Sequence, residues 1–414
     1  MSVTSVARPA GPRHSRRQQP GRGTRHGAGF WLIAVTFMTA MAYSGAPTPL
    51  WAVYQQHDHF STLTVTLAFA VYAVGVLASL FLVGHISDWA GRRRMLLPAV
   101  LLEAVSAVIF LTSTSLPVLI TARIVSGLGI GMITATATAY LAELHLAARP
   151  DASRTRADLV ATAANLGGLA MGPPVSGLLA EFVPQPLRTP YLVFLGLLLL
   201  SAVGVALVPE TVDMTQARPP YKPQRVSVPA SSRSTYFAAS AAAFAAFSVL
   251  GLFTSLAPGF VAGTLHHPSR ALAGLVAFLV FGAAATTQMV FVRIAAERQL
   301  VIGLALMSVG IAGVTAGVWL TSLAVFLTAG IVAGAGAGVL FKGAVTTTVS
   351  LAPVRSRGEV LAGLFLAAYI GLVVPVVGIG VATQFVTDRT ALLGFAVVLV
   401  SLDATIATRL LRRP

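Results

Sequence analysis

Twelve apolar stretches, each about as long as a bilayer-crossing helix, recur along this chain, and no other feature limits its fold so narrowly. A helix needs ~20 mostly apolar residues to cross the hydrocarbon core. The stretches fall at 30–52, 64–84, 95–113, 116–141, 158–182, 190–209, 236–258, 271–292, 300–319, 322–347, 359–382 and 389–409. Lipid offers no hydrogen bonds, so a segment of this kind satisfies its backbone as an α-helix. The expected fold class is an all-α membrane protein of about twelve transmembrane helices in two six-helix pseudo-repeats. Composition agrees: 10% of the residues are charged and 56% hydrophobic, against roughly 25% charged in soluble domains. So few charges cannot cover a water-facing surface, and the expected neighbour is a lipid bilayer.

The formal net charge of +15 invites a nucleic-acid reading. The bases sit at the ends of the apolar segments and not on one face of a folded domain, so no nucleic-acid partner is expected. Twelve spans divide the connecting loops between two sides. The side holding the N-terminus carries 23 of the 28 Lys and Arg, including Arg92, Arg93 and Arg94. The other side carries Arg188, Arg270 and Arg389, leaving Arg123 and Lys342 within spans. By the positive-inside rule both termini are cytoplasmic, in a multi-pass protein of the cytoplasmic (inner) membrane. Residues 1–29 read as a disordered basic tail; Arg16-Arg17 also permits a twin-arginine signal, but no small-residue cleavage site follows. Residues 30–209 and 236–410 form the two six-helix bundles, and the polar, proline-rich stretch 210–235 links them on the cytoplasmic side. With no cysteine there is no disulfide or thiol chemistry.

An internal repeat relates the halves. Residues 122–132 (ARIVSGLGIGM) and 329–339 (AGIVAGAGAGV) share their alanine, Ile-Val pair and three glycines at an offset of 207. Ala68-Phe-Ala-Val-Tyr72 matches Ala277-Phe-Leu-Val-Phe281, and Ala163-Ala-Asn-Leu-Gly167 matches Ala367-Ala-Tyr-Ile-Gly371. The paired spans lie six apart and run in the same direction, the pattern of transporters that rock one half against the other around a midplane site. Small residues also let helices pack closely, which accounts for the glycines singly but not for their shared phase.

Between spans 2 and 3 the chain reads Gly84-His-Ile-Ser-Asp88-Trp-Ala-Gly91-Arg92-Arg93-Arg94. This resembles the signature G-x-x-x-D-x-x-G-R-R of the major facilitator superfamily, at the loop where that family carries it. The resemblance implies a cytoplasmic gate in which Gly84, Asp88, Gly91, Arg92 and Arg93 hold one conformation together by charge-assisted contacts, with Glu143 as a partner for an arginine. The bland alternative is a topogenic cluster of charge. In the second half Glu297 stands opposite Asp88 and both glycines are gone. Arg123-x-x-x-Gly-x-Gly in span 4 is similar to a second motif of the family, associated with ion or proton coupling. Gly168, Gly172, Pro173 and Gly177 in span 5 resemble the motif of its drug–proton antiporters, with Ser176 replacing one glycine; a kinked packing helix explains them as well. Pro209-Glu210-Thr211 matches the family's exit from span 6.

The chain contains no G-x-x-x-x-G-K-[ST] phosphate loop, so ATP drive is not expected, and no enzyme constellation, cofactor or metal site stands out. An intramembrane carboxyl is a functional candidate by default. Glu103, paired with Arg123, is the expected coupling site, with Asp403 in span 12 as the other membrane-embedded acid. Family analogy places Tyr43, Tyr72, Asn165, Lys342 and Tyr369 on cavity-lining spans. Three functions compete: proton-coupled efflux of a drug or natural product, transport of a polar metabolite or organic anion, and a non-transporting membrane sensor. A small-molecule substrate, protons and a monomeric state are expected.

Overall fold

The computed structural model describes residues 20–83, 86–213, 221, 223–226, 228, 232–352 and 357–411. Twelve long helices carry the fold: α1 Pro20–Gly45, α2 Thr62–Leu82, α3 Arg92–Thr112, α4 Leu116–Ala148, α5 Thr155–Phe182 and α6 Thr189–Leu207, then α7 Arg233–Ser255, α8 Arg270–Val290, α9 Ala296–Trp319, α10 Leu323–Leu351, α11 Arg357–Ala382 and α12 Asp388–Leu411. No strand occurs among the described residues. Eleven spans there are long and apolar enough to cross a membrane. The remaining long helix, α5, has ample length at 28 residues, but Asn165, four glycines and Pro173-Pro174 dilute its apolar run.

The expected first span, 30–52, differs from what is seen. Helix α1 ends at Gly45, a 3-10 turn follows at Thr48–Leu50, and a short helix runs over Trp51–His57. Pro47 and Pro49 explain the break, since neither can donate the backbone bond that would continue α1. Repeat-related caps start two later helices: Ser61 accepts from the Thr64 amide at 3.1 Å and Ser269 from the Leu272 amide at 3.2 Å.

Packing obeys the repeat. Within the first half α2 packs on α4, α3 on α4, α1 on α5, and α3 on α6; within the second, α8 packs on α10, α9 on α10, α7 on α11, and α9 on α12. The aligned glycines do the same work in both copies. Gly127 and Gly131 lie against α2 as Gly334 and Gly338 lie against α8, while Gly129 meets α3 as Gly336 meets α9. At each, an added Cβ would collide with the neighbouring helix, so the small-residue seam sets the approach of the helices. Two buried apolar clusters result, one drawn from residues 30–208 and one mostly from 239–406. The halves meet along two further repeat-related seams, α5 with α8 and α2 with α11. Large apolar side chains such as Leu200, Leu207, Val309 and Val398 project outward, the surface a hydrocarbon solvent requires.

Candidate functional site

The seams between the halves enclose a cavity in the centre of the bundle. Its lining comes from both halves and includes Trp51, Phe69, Tyr72, Arg123 and Asn165 from the first, and Phe247, Phe281, Gln288, Phe341 and Tyr369 from the second. The solvent-sized space is ≈ 150 Å³. Thr134, Phe365 and Tyr369 also line a second space of ≈ 410 Å³, bordered by Asp88, Gln224 and Gly358. The second space adjoins the central cavity through these shared residues and lies toward the face that bears the Arg92–Arg94 loop, called here the basic face.

The opposite end is closed. Gly177 of α5 lies against the Arg270 backbone, and Gly274 of α8 lies against the Pro173 carbonyl. The Arg270 amide donates to Glu181 Oε2 at 2.8 Å and its guanidinium to the Ala180 carbonyl at 2.8 Å. Each charge thus sits on the helix end of opposite sign: the carboxylate on the start of α8, the guanidinium on the end of α5. On the other seam Gly380 of α11 approaches Leu63 and Thr66 of α2. Beyond the seal lies a recess of ≈ 260 Å³ whose lining includes Gln55, Gln56, Thr383 and Asp388.

Arg123 is buried at 2% exposure. Its guanidinium stands 4.2 Å from the Tyr72 ring centroid, 5.8 Å from Phe69 and 6.0 Å from Trp51. Nη1 donates to the Ser44 carbonyl at 3.3 Å, one of the last carbonyls of α1, left over where Pro47 stops the helix. The expected pairing with Glu103 is not formed. Glu103 accepts from Ser126 at 2.8 Å, lies between α3 and α4 beside Gly129, and does not line the cavity. The two side chains meet different neighbours: α4 presents Ser126 and Gly129 to Glu103 of α3, whereas Arg123 turns to the Tyr72 ring of α2. No carboxylate lies within 4.0 Å of Arg123 among the described residues.

Tyr72, Asn165 and Tyr369 line the cavity; two residues expected there do not. Tyr43, 1% exposed, turns into the first half, with its hydroxyl 2.8 Å from Ser106 and its ring 6.0 Å from Phe194. Lys342 is half-buried and lies outside the lining. The span-5 residues all make helix contacts: Gly168 and Gly172 meet the α1 backbone, Pro173 and Gly177 meet α8. The aromatic box of Trp51, Phe247, Phe281, Phe341 and Phe365 escaped sequence reasoning, because nothing in the apolar runs marks which rings turn inward.

At the basic face Arg92 ties the loop between α2 and α3 together. Its Nη1 donates to Asp88 at 2.6 Å and Ser87 at 2.8 Å, and its Nη2 to Glu143 at 2.7 Å. Gly91 makes this possible: its φ of 103° and ψ of 138° turn the chain sharply into α3, a conformation a side chain resists. Glu210 accepts from the Arg92 and Arg93 amides at 2.8 and 3.0 Å, closing the start of α3, and the Thr211 hydroxyl donates to Glu143. Glu210 and Thr211 thus join the Arg92 network, although the sequence marked them only as the exit from span 6. Gly84 lies outside the described residues. The second half has no matching network among the described residues; there Gln299 donates to the Phe291 and Ile294 carbonyls and holds the loop without charge. Replacing Gly91 with valine should strain this turn, and we expect weaker thermal stability and reduced transport, measured side by side; an unchanged protein would show that the turn tolerates a side chain.

Comparison with known proteins matches this architecture. The model of the Major Facilitator Superfamily aligns with residues 32–376. A 70-residue stretch is 40% identical to the arabinose-proton symporter of Bacillus subtilis (strain 168), covering 17% of this chain and 15% of that one. Over 188 residues the chain is 24% identical to multidrug resistance protein 2 of the same organism, covering 45% of each. The matches thus span less than half the length of these relatives. Among solved structures, a mutant of the nucleoside transporter NupG superposes with a TM-score of 0.73 at 11% identity, covering 92% of this chain and 99% of that one. A bacterial homolog of the human lysosomal transporter Spinster, in an inward-facing and unoccupied conformation, superposes with a TM-score of 0.69 at 14% identity over 95% and 98%. Such low identities speak to fold alone, but the family model covers most of the chain, with its signature loop and paired six-helix packing: the protein belongs to the Major Facilitator Superfamily of membrane transporters.

Proposed function

We propose that this protein is a secondary active transporter of the cytoplasmic membrane that exports a small lipophilic molecule in exchange for protons, working as a monomer with its basic face inside. The carrying observation is a central cavity, contributed by both halves, that is open at one face and closed at the other. Alternating access needs such a site and two repeat-related seams that can exchange roles. The excess of basic residues on the open face supports placing it in the cytoplasm. The resemblance to a multidrug resistance protein supports export, as does the span-5 motif.

Two acids inside the bundle are candidates for the coupling proton. Glu103 and Asp403 are 0% and 2% exposed, and each keeps one carboxyl oxygen without a hydrogen-bond partner. Asp403 accepts from Ser308 at 2.9 Å between α9 and α12, remote from the cavity lining. Glu103 lies one turn of α4 from Arg123 through Ser126, and we assign the coupling role to that pair of residues acting through α4. The test is flux in proteoliposomes across a substrate panel, with and without an imposed pH gradient. Glu103→Gln should lose gradient-driven accumulation yet keep substrate exchange at equal pH. Full gradient-driven accumulation in that variant would remove Glu103 from the coupling path, and gradient-independent flux in the unmodified protein would remove proton coupling altogether.

A further inference from the structure

We infer that the central cavity selects an aromatic organic monoanion, its negative group seated on the Arg123 guanidinium; this rests on the transporter reading above and names the class of substrate it would carry. Among the described lining residues Arg123 is the one charged side chain. The opposite half offers no counterpart, because the repeat places Gly330 where Arg123 stands, and the Phe253 ring packs over it. The site therefore carries a single, uncompensated positive charge.

The guanidinium is poorly satisfied by the protein. It has five N–H donors, yet the hydrogen bond it makes is the 3.3 Å contact to Ser44, and Nε is buried without a partner. The rings of Tyr72, Phe69 and Trp51 offer faces that stabilise a cation but accept no strong hydrogen bond. An anion with two oxygens on one centre fits the remaining donors, since a carboxylate takes two parallel N–H bonds from this fork. A charge buried in a membrane bundle is costly, and a ligand that arrives with the opposite charge offsets that cost.

The remaining lining describes the rest of the ligand. Phe247, Phe281, Phe341, Phe365 and Tyr369 surround the space with apolar ring faces, which suit a planar aromatic body. Asn165 and Gln288 supply amide groups for a polar substituent. A lipophilic cation is disfavoured, because no acid lines the cavity among the described residues and Arg123 would repel it.

The test uses the full chain in proteoliposomes and matched probes: benzoate and 1-naphthoate as anions, benzamide as a neutral counterpart and benzylamine as a cation. Binding is read from quenching of Trp51, with Trp31, Trp89 and Trp319 replaced by phenylalanine, and transport is read as counterflow of radiolabelled 1-naphthoate. The carboxylates should bind at least about tenfold more tightly than benzamide, and benzylamine should not bind, as a bidentate charge-assisted pair requires. Arg123→Lys should lose about tenfold in carboxylate affinity, because a point charge cannot reproduce the fork. Arg123→Gln should lose carboxylate preference while keeping benzamide binding, which also shows that the cavity is still folded. Carboxylate binding without counterflow would leave the site standing and overturn the transporter reading. Equal binding of benzoate and benzamide, tighter binding of benzylamine, no saturable carboxylate binding, or an Arg123→Gln protein that binds benzoate normally would each overturn the anion site.

Discussion

Replacing Gly177 with leucine should abolish transport while leaving the protein in the membrane, held with its far end open. At this position the first half comes within contact of the second: the Cβ of any larger residue would fall against the carbonyl of Arg270. That contact exists when the end of the cavity away from the basic face is shut, where Arg270 also caps the end of α5 and Glu181 caps the start of α8. Overpacking of a tight interface costs about 1–3 kcal/mol, a shift of about 5- to 150-fold in a two-state equilibrium. Because the cost falls on one state, it appears as a change of conformation. The chain has no cysteine, so single reporters can read this directly. Thr66→Cys, at a position 0% exposed in the closed seam, should become reactive to an impermeant maleimide from the far side. Thr138→Cys, in the open mouth, should become protected from the basic side. Gly172→Leu provides the contrast, since that glycine packs on α1 inside one half and its loss should lower folding yield in either conformation. Normal flux and unchanged reactivity in Gly177→Leu would show that this seam does not open.

Helix positions were legible because the physical demand is local. A helix in lipid must be apolar for its whole length, and a break must be marked by proline, glycine or polar residues, so the twelve stretches foreshadow α1–α12 to within a few residues at most ends. The exceptions are instructive. Helix α1 begins ten residues before its apolar run and stops early, before Pro47, and neither that break nor the short helix at Trp51–His57 that follows was foreseen. Helix α4 continues past the apolar stretch to Ala148, through Glu143 and His145, where apolar content no longer marks the helix.

The site was less legible, for a geometric reason. Apolar periodicity in these helices does not separate the lipid face from the cavity face, since both are hydrophobic. The rotation of each helix decides whether Tyr43 meets the cavity or Ser106, and whether Glu103 faces Arg123 or Ser126. Rotation is set by which small residues seat on which neighbour, as Gly127 and Gly131 seat on α2 while Gly129 seats on α3. Charges are the part sequence can reach, because a buried arginine is too costly to lack a reason. Arg123 stood out on that ground alone, and its placement against Tyr72 follows from a packing pattern that no single residue encodes.

The second large effect is expected at Arg92. Its side chain is 9% exposed and its partners are not equally valuable: the Asp88 side chain is 67% exposed and Glu143 34%. Water screens the Asp88 contact, so that pair contributes little to stability. The link to Glu143 matters more, because it binds the start of α3 to the end of α4, and Thr211 adds the exit of α6 to the same carboxylate. Arg92→Ala should therefore destabilise the first half by about 1–3 kcal/mol, the loss expected when a partly buried charged group is left without its partner. Transport should fall about tenfold or more, since the three helices at the mouth of the cavity lose their common anchor. Arg92→Lys should recover little: one ammonium cannot span Ser87, Asp88 and Glu143 as the fork does. Arg94→Ala separates this from a simple role in orienting the chain, because Arg94 is exposed and supplies the same positive charge to the same loop. A gate requires the Arg92 variant to fail and the Arg94 variant to work. If both lose transport equally, with a matching loss of correct orientation in the membrane, the loop serves topology and the network around Arg92 is incidental to switching. Asp88→Asn then tests the exposed arm of the network: it keeps the shape and removes the charge, so it should spare stability and change the rate of transport.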